Sequence, residues 1–367
     1  MAHALRSDLT ALSVRSVVAR PVLFPPPRPI RTASGSVPEV PLVLIDLECS
    51  SGVVGRSYLF AYQEFALRPL AELVRGMGSL VADEALVPAA LAAKLRARLT
   101  LLGWRNLAGM ALAGIEMAAW DALGISLATP LARLLGAQPR ALSAYDSLGL
   151  YPASEVAAAV SASAEAGFRA VKIKVGWPSL SEDLALVRAA RRALGDGIEL
   201  MVDFNQSLST VEAERRGRAL EGEGLAWIEE PVQADDFAGA AAVAAALATP
   251  VSLGENFASV AEMKQALALS ACDLVMPDPQ QIGGVGGWLQ ASALAAAGGV
   301  PMSAHIFVEI CAHLLAATPT AHWLEYMDIA SPVLAEPVRP AGGFVTAPDR
   351  PGFGLAWDEA AVTRFSV

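Results

Sequence analysis

Seven ionisable side chains punctuate the second half of this chain: Lys174, Asp203, Glu229, Glu255, Asp278, His305 and Glu325, separated by 29, 26, 26, 23, 27 and 20 residues. Each ends or nearly ends a short apolar run. Asp203, Glu229 and Glu255 are carboxylates that would repel one another if gathered together, unless a cation lay between them. A set of oxygens without Cys or His favours one hard divalent ion per subunit, Mg²⁺ with Mn²⁺ as a substitute. The competing reading pairs each carboxylate with a nearby Lys or Arg. Lys172 and Lys174 lie two apart in VKIKV, so on a strand both ammonium groups take one face. Neighbouring cations depress each other's proton affinity, which makes a lysine a base near neutral pH. The alternative is a structural pair neutralised by carboxylates opposite. Asp278 and His305 end successive runs; a carboxylate accepting from one imidazole nitrogen fixes the tautomer and leaves the other nitrogen as a base. Glu325 is a candidate proton donor. Two bases facing each other across one carbon suit removal of a proton from one face and its return to the other, the geometry of a racemase or epimerase. The cation and Lys172 would hold a carboxylate whose charge grows as an enediolate forms.

Intervals of this size are the length of one strand plus one helix. After Gly136, apolar strand patterns fall at residues 142–148, 168–175, 199–205, 225–230, 250–255, 273–278, 300–305 and 322–327, most separated by Ala/Leu-rich helical stretches. That alternation predicts an α/β fold, a (β/α)8 barrel whose strand ends converge on the C-terminal mouth. Upstream, residues 12–18 alternate like a strand, a proline-rich loop runs from Pro21 to Pro41, and a hairpin turns around Ser50–Gly52. Helical patterns then fill residues 63–135. The expected organisation is an α+β capping domain over residues 1–136, a barrel over 137–331, and a turn-rich tail over 332–367 that packs back on the capping domain.

Composition excludes several classes. Hydrophobic residues make up 54% and charged residues 17%, with a net charge of −10, which suits a large core and argues against nucleic acid as a partner. Cys49, Cys272 and Cys311 are too scattered for a disulfide framework or a thiolate zinc site, and fit a reducing cytoplasm. The N-terminus lacks the unbroken apolar core of a signal peptide. The uncharged stretch from Phe237 to Gly254 is Ala-rich and broken by Pro250, so a buried helix and strand explain it better than a membrane span. Glu230, beside Glu229, should point to the other side of its strand and is the weaker ligand candidate. His3 is terminal, while His313 and His322 read as structural. The GGVGG run at residues 283–287 lacks a following Lys-Ser/Thr and reads as a tight turn, not a phosphate loop.

In order, the segments VKIKVG, MVDFNQSL, WIEEP, GEN, MPD, SAHIFVEI and HLLAATPTAHWLE resemble the enolase superfamily, specifically its mandelate racemase group. PLVLIDL and GVVGRSYLFAY extend the resemblance upstream, and PDRPGFG extends it downstream. It implies a barrel with a capping domain and Mg²⁺-dependent racemisation of an α-hydroxy acid such as an arylglycolate. Dehydration of an acid sugar by the same bases is the alternative. Carried over, it implies metal ligands at Asp203, Glu229 and Glu255, with Lys174 the base for the S substrate. His305, oriented by Asp278, would be the base for the R substrate. Glu325 would donate a hydrogen bond or proton to the substrate carboxylate, Lys172 and Ser147 would bind that carboxylate, and Asn205 would contact the α-hydroxyl. Ile30, Val37, Phe60 and Tyr62 would cap an aromatic ring, with ordinary hairpin packing as the alternative. The implied partners are a small carboxylate substrate and further copies of the chain in a symmetric homo-oligomer, such as an octamer; neither nucleic acid nor membrane is implied. Two departures stand out: Arg31 and Ser34 make the capping loop more polar than is usual, and Gln281 replaces a common lysine.

Overall fold

The computed structural model describes residues 12–33 and 35–367; His3, the rest of the N-terminal segment through residue 11, and Ser34 lie outside them. Strand β1 (Val14–Phe24) is joined through a small hairpin, β2 (Ile30–Thr32) and β3 (Gly35–Val37), to β4 (Val40–Cys49) and β5 (Val54–Phe60). The main antiparallel sheet has the order β1-β4-β5. The loop expected from Pro21 to Pro41 is therefore shorter than its prolines suggested. Pro21 stands within β1, and its carbonyl accepts from Val367 N–H on the side away from β4. The missing N–H of Pro21 faces outward on an edge strand, where it breaks no ladder.

Helices α1 (Glu64–Ser79), α2 (Pro88–Arg98) and α3 (Asn106–Ser126) pack on this sheet and on one another. By length and composition α3 is apolar enough to cross a membrane, yet its apolar window is 83% buried inside the protein. Its close seat depends on glycine. A Cβ on Gly55 of β5 would lie 2.1 Å from the Ala118 carbonyl oxygen and 2.5 Å from the Ala122 amide nitrogen, both helix backbone that cannot step aside. Gly55→Ala is therefore expected to cost about 3 kcal/mol, the upper end of overpacking penalties, and to lower the thermal midpoint by several degrees. An unchanged melting curve would show that the interface tolerates the extra volume.

Eight parallel strands then close a barrel: β6 (Ala141–Ser147), β7 (Ala170–Lys174), β8 (Glu199–Asp203), β9 (Leu225–Glu229), β10 (Val251–Leu253), β11 (Leu274–Val275), β12 (Met302–Ala304) and β13 (Ala321–Tyr326). Pairing of β13 with β6 completes the ring. The intervening helices begin at side-chain caps such as Ser179, Ser209 and Asp236, which accept from first-turn amides. Strand periodicity stacks the interior. Tyr145, Ala170, Met201 and Trp227 form a separate apolar cluster, with Tyr145 and Trp227 edge to face at 5.5 Å. Two residues further along the same faces stand Ser147, Lys172, Asp203 and Glu229. A greasy plug thus underlies a polar layer.

Strands β10, β11 and β12 are shorter than the sequence pattern predicts. Their final residues are spent on the site: Gly254 takes a φ of 140°, and Asp278 caps the short helix Pro279–Ile282. The tail holds one strand the turn signals concealed, β14 (Phe344–Thr346), which pairs antiparallel with the start of β6. Further on, the tail touches the capping domain. Phe353 N–H donates to Asp121 (2.5 Å), Trp357 Nε1 donates to Asp46 (2.8 Å), and Phe365 packs on Phe24.

Candidate active site

Every barrel strand delivers one of the expected groups to the same end. Ser147, Lys174, Asp203 and Glu229 are the last residues of β6, β7, β8 and β9, and Glu325 lies within β13. Glu255, Asp278 and His305 follow β10, β11 and β12 by one to three residues. Asp203, Glu229 and Glu255 can each offer an oxygen with all three atoms within 4.8 Å of one another. Glu230 turns away, as its position on the strand predicts, and accepts Gly254 N–H at 2.8 Å.

The carboxylates are short of positive charge. Burial pushes the Glu229 carboxyl up to about 8, aided by Asp203, Glu325 and Glu255 against the pull of Lys172. Glu255 Oε2 is buried without a hydrogen-bond partner. Three converging carboxylates, with a Glu255 oxygen that accepts no hydrogen bond and has only His305 Nε2 beside it at 3.3 Å, fit a hard divalent cation. Trp227 Nε1 orients Glu229 at 2.9 Å, and the Asn205 amide N–H holds Asp203 at 2.7 Å.

The lysines behave differently from the expectation of mutual depression. Lys172 contacts Glu229 directly, lies 2.8 Å from Glu325, and is 3.7 Å from Asp203; Lys174 pairs with Asp203. Burial disfavours both ammonium groups, but the carboxylates outweigh it and raise both lysines above their ordinary value. Of the two readings of VKIKV, this arrangement is the neutralised pair, and it keeps both lysines protonated. Glu325 shows the same balance. Burial favours its neutral form, yet Lys172, His305 and Lys174 hold it well below the usual carboxylate range, so in this arrangement it accepts hydrogen bonds. It receives Ile306 N–H at 3.1 Å.

His305 Nδ1 meets Asp278 Oδ2 at 2.8 Å, and its Nε2 lies 3.3 Å from Glu255 and 3.9 Å from Glu325. Burial opposes its charge, but Glu255, Asp278 and Glu325 together push it up to about 9. Both candidate bases line one cavity of about 340 Å³. The hairpin closes one side of it with Ile30 and Val37, beside Phe60 and Tyr62 of the capping domain. Arg31, between Ile30 and Thr32, takes the other hairpin face and lines an adjoining recess with Ser147. Ser147 Oγ is buried there without a partner, and Lys174 borders both spaces. Lys172 lines neither; it lies beneath, sealed by the carboxylates.

Several neighbours were invisible to strand periodicity. Gln206, Asn256 and Gln281 bring amides to the cavity, and Ile306 and Met327 bring apolar surface. Backbone geometry marks two of them, Gln206 and Ile306, which have positive φ without being glycine, as do Asn205 and Phe307 beside them, strain that gathers at working sites.

A family model for the N-terminal domain of mandelate racemase/muconate lactonizing enzymes matches residues 15–136, and one described as enolase C-terminal domain-like matches residues 155–361. The chain belongs to the mandelate racemase/muconate lactonizing group of the enolase superfamily. Among curated members, the L-talarate/galactarate dehydratase of Salmonella typhimurium is 37% identical over 263 residues, which is 71% of this chain and 66% of that protein. A 3,6-anhydro-α-L-galactonate cycloisomerase of Streptomyces coelicolor is 30% identical over 93% of this chain and 96% of its own length. A Bradyrhizobium enolase, solved with magnesium and mandelic acid, is 45% identical over 97% of this chain and 99% of that one, with a TM-score of 0.94. Other curated relatives include o-succinylbenzoate synthases and an L-Ala-D/L-Glu epimerase, so the group spans several reactions.

Proposed function

We propose that this protein is a Mg²⁺-dependent racemase of a 2-hydroxy acid with an apolar, arylglycolate-like side chain. The observation that carries it is one cavity with Lys174 from β7 and His305 from beyond β12, under a lid whose nearest walls are Ile30, Val37 and Phe60. Those strands stand across the barrel from each other, with the three carboxylates reaching in from β8, β9 and β10. The magnesium- and mandelate-bound relative supports the same substrate class.

Bound to Asp203, Glu229 and Glu255, a divalent ion would offset the charge that keeps the lysines and His305 protonated and would stabilise negative charge on the substrate carboxylate. The chain's own groups do the rest. The Ser147 hydroxyl binds the carboxylate and Asn205 meets the α-hydroxyl; Lys172, expected to bind that carboxylate directly, is sealed beneath the cavity and supports it as buried positive charge. Lys174 removes the α-proton of the S enantiomer and His305 returns one to the opposite face; the R enantiomer runs in reverse. Glu325, beside Lys172 and 3.9 Å from His305 Nε2, can take up a proton to share with the enediolate as negative charge develops next to it.

A second reading has a specific basis. The amides of Gln206, Asn256 and Gln281 suit hydroxyl groups, and the curated relatives include acid-sugar dehydratases. The same first proton removal would then expel a β-hydroxyl. Against a dicarboxylate sugar stands the charge of the wall: among the described residues lining the cavity, Lys174 is the only Lys or Arg. A second carboxylate would be desolvated with no further Lys or Arg on that wall to meet it, although Arg31 lines the adjoining recess. Three buried, unpaired cysteines accord with the cytoplasmic setting we assign.

Incubating the protein with R- or S-mandelate and Mg²⁺ in D₂O should exchange the α-proton of both enantiomers, read by proton NMR. Loss of the signal from neither enantiomer would remove this substrate class. A keto acid released from a monocarboxylate sugar acid would favour the second reading.

A further inference from the structure

We propose that Tyr62 and Gln280 are positioning residues for His305, through which the capping domain aims one of the two bases. The inference rests on the two-base reading and deepens it. Asp278, fully buried, orients His305, and two donors besides the imidazole hold its carboxylate. Oδ1 accepts Gln280 N–H at 2.7 Å; Oδ2, already on His305 Nδ1, accepts the Tyr62 hydroxyl at 3.4 Å.

The direction of that last bond follows from the surrounding atoms. Phe60 N–H donates to Gln280 Oε1 at 3.0 Å, which fixes the amide's orientation. Gln280 Nε2 must therefore be the donor to the Phe60 carbonyl at 3.3 Å and to the Tyr62 oxygen at 3.2 Å. A phenol that accepts from an amide has one proton left to give, and Asp278 is where it points. Tyr62 reaches this place in a left-handed backbone conformation, φ 59°, with its ring 4.7 Å from that of Phe60. A bulky residue holds such a conformation only when its surroundings dictate it.

The whole chain of contacts starts in the capping domain and ends on the imidazole. It touches nothing on the Lys174 side, where Asp203 is the partner. Its loss should therefore weaken one stereochemical direction more than the other. The cap role expected of Tyr62 needs only its ring, whereas this role needs only its hydroxyl, so one atom separates them.

Tyr62→Phe keeps the ring and removes the hydroxyl. We expect kcat for exchange from the R substrate to fall about fivefold, the worth of one hydrogen bond of ordinary strength, as suits the long 3.4 Å contact, with KM unchanged and the R-to-S rate ratio lowered to match. Proton–nitrogen spectra of ¹⁵N-histidine-labelled protein supply the second readout, with the His305 ring signals assigned by their absence in His305→Asn. Those signals should shift in Tyr62→Phe, while the melting temperature stays close to that of the parent. An equal loss for both enantiomers, a rise in KM alone, or unshifted ring signals would overturn the proposal. If the parent exchanges neither enantiomer, the two-base reading fails separately, and the ring signals still decide whether Tyr62 holds His305.

Discussion

With His305 replaced by asparagine, exchange of the α-proton from the R substrate should fall by at least a factor of about 10³, the range of a lost general base. Exchange from the S substrate should continue, because Lys174 can remove a proton from that face and return a deuteron to it. Replacing Lys174 with glutamine should give the mirror result. The expectation comes from the ring of strands: the two groups rise from β7 and β12, and each has its own orienting carboxylate, Asp203 for one and Asp278 for the other. Neither substitution disturbs the other's partner. Net racemisation would stop in both variants, so the decisive measurement is exchange from each pure enantiomer. Equal loss of both exchanges in each variant would mean that the two groups act on one face, or that one of them is not a base.

Why so much of this centre could be read from the chain, and why the rest could not, follows from two kinds of geometry. Residues at strand ends obey a period of two and recur once per strand–helix unit, so Lys174, Asp203, Glu229, Glu255, Asp278, His305 and Glu325 declared themselves by spacing. Contacts between domains obey no period. The Gln280 amide on the Phe60 backbone, the Tyr62 hydroxyl on Asp278 and the Tyr58 hydroxyl on Glu309 at 2.8 Å join residues more than 200 positions apart. Charge state was the other blind spot. Two lysines on one strand predict depressed proton affinity only if their neighbours are neutral. In the fold they meet Glu229, Glu325 and Asp203, and attraction wins over both burial and mutual repulsion. Secondary structure failed where ladders were too short to leave a pattern: the lid hairpin and β14 have three residues per strand.

Asp203→Asn should separate cation binding from catalysis, since it can be read without any substrate. In the parent, Mg²⁺ at a hundredfold excess over its dissociation constant should stabilise the fold by about 2.7 kcal/mol, seen as a rise in melting temperature. The variant should lose most of that rise, and its Mg²⁺ affinity by calorimetry should drop at least about tenfold, as a carboxylate ligand becomes a neutral amide. It should also be less stable without metal. Asp203 is fully buried against Lys174, with Lys172 at 3.7 Å, and removing one member of a buried ion pair leaves a charge without its partner, typically about 3 kcal/mol. Part of that loss should disappear as pH rises. With its main carboxylate gone, Lys174 keeps only the weaker pull of Glu255 and Glu229 against burial and Lys172, which both lower its proton affinity, so we expect the folded variant to shed that proton at lower pH than the unfolded chain. A folded-state value below the unfolded one means the penalty is full at low pH and fades as the solution passes the folded value. A variant that binds Mg²⁺ as tightly as the parent would move the cation elsewhere, and the carboxylates at the ends of β8 and β9 would then serve only to hold the two lysines.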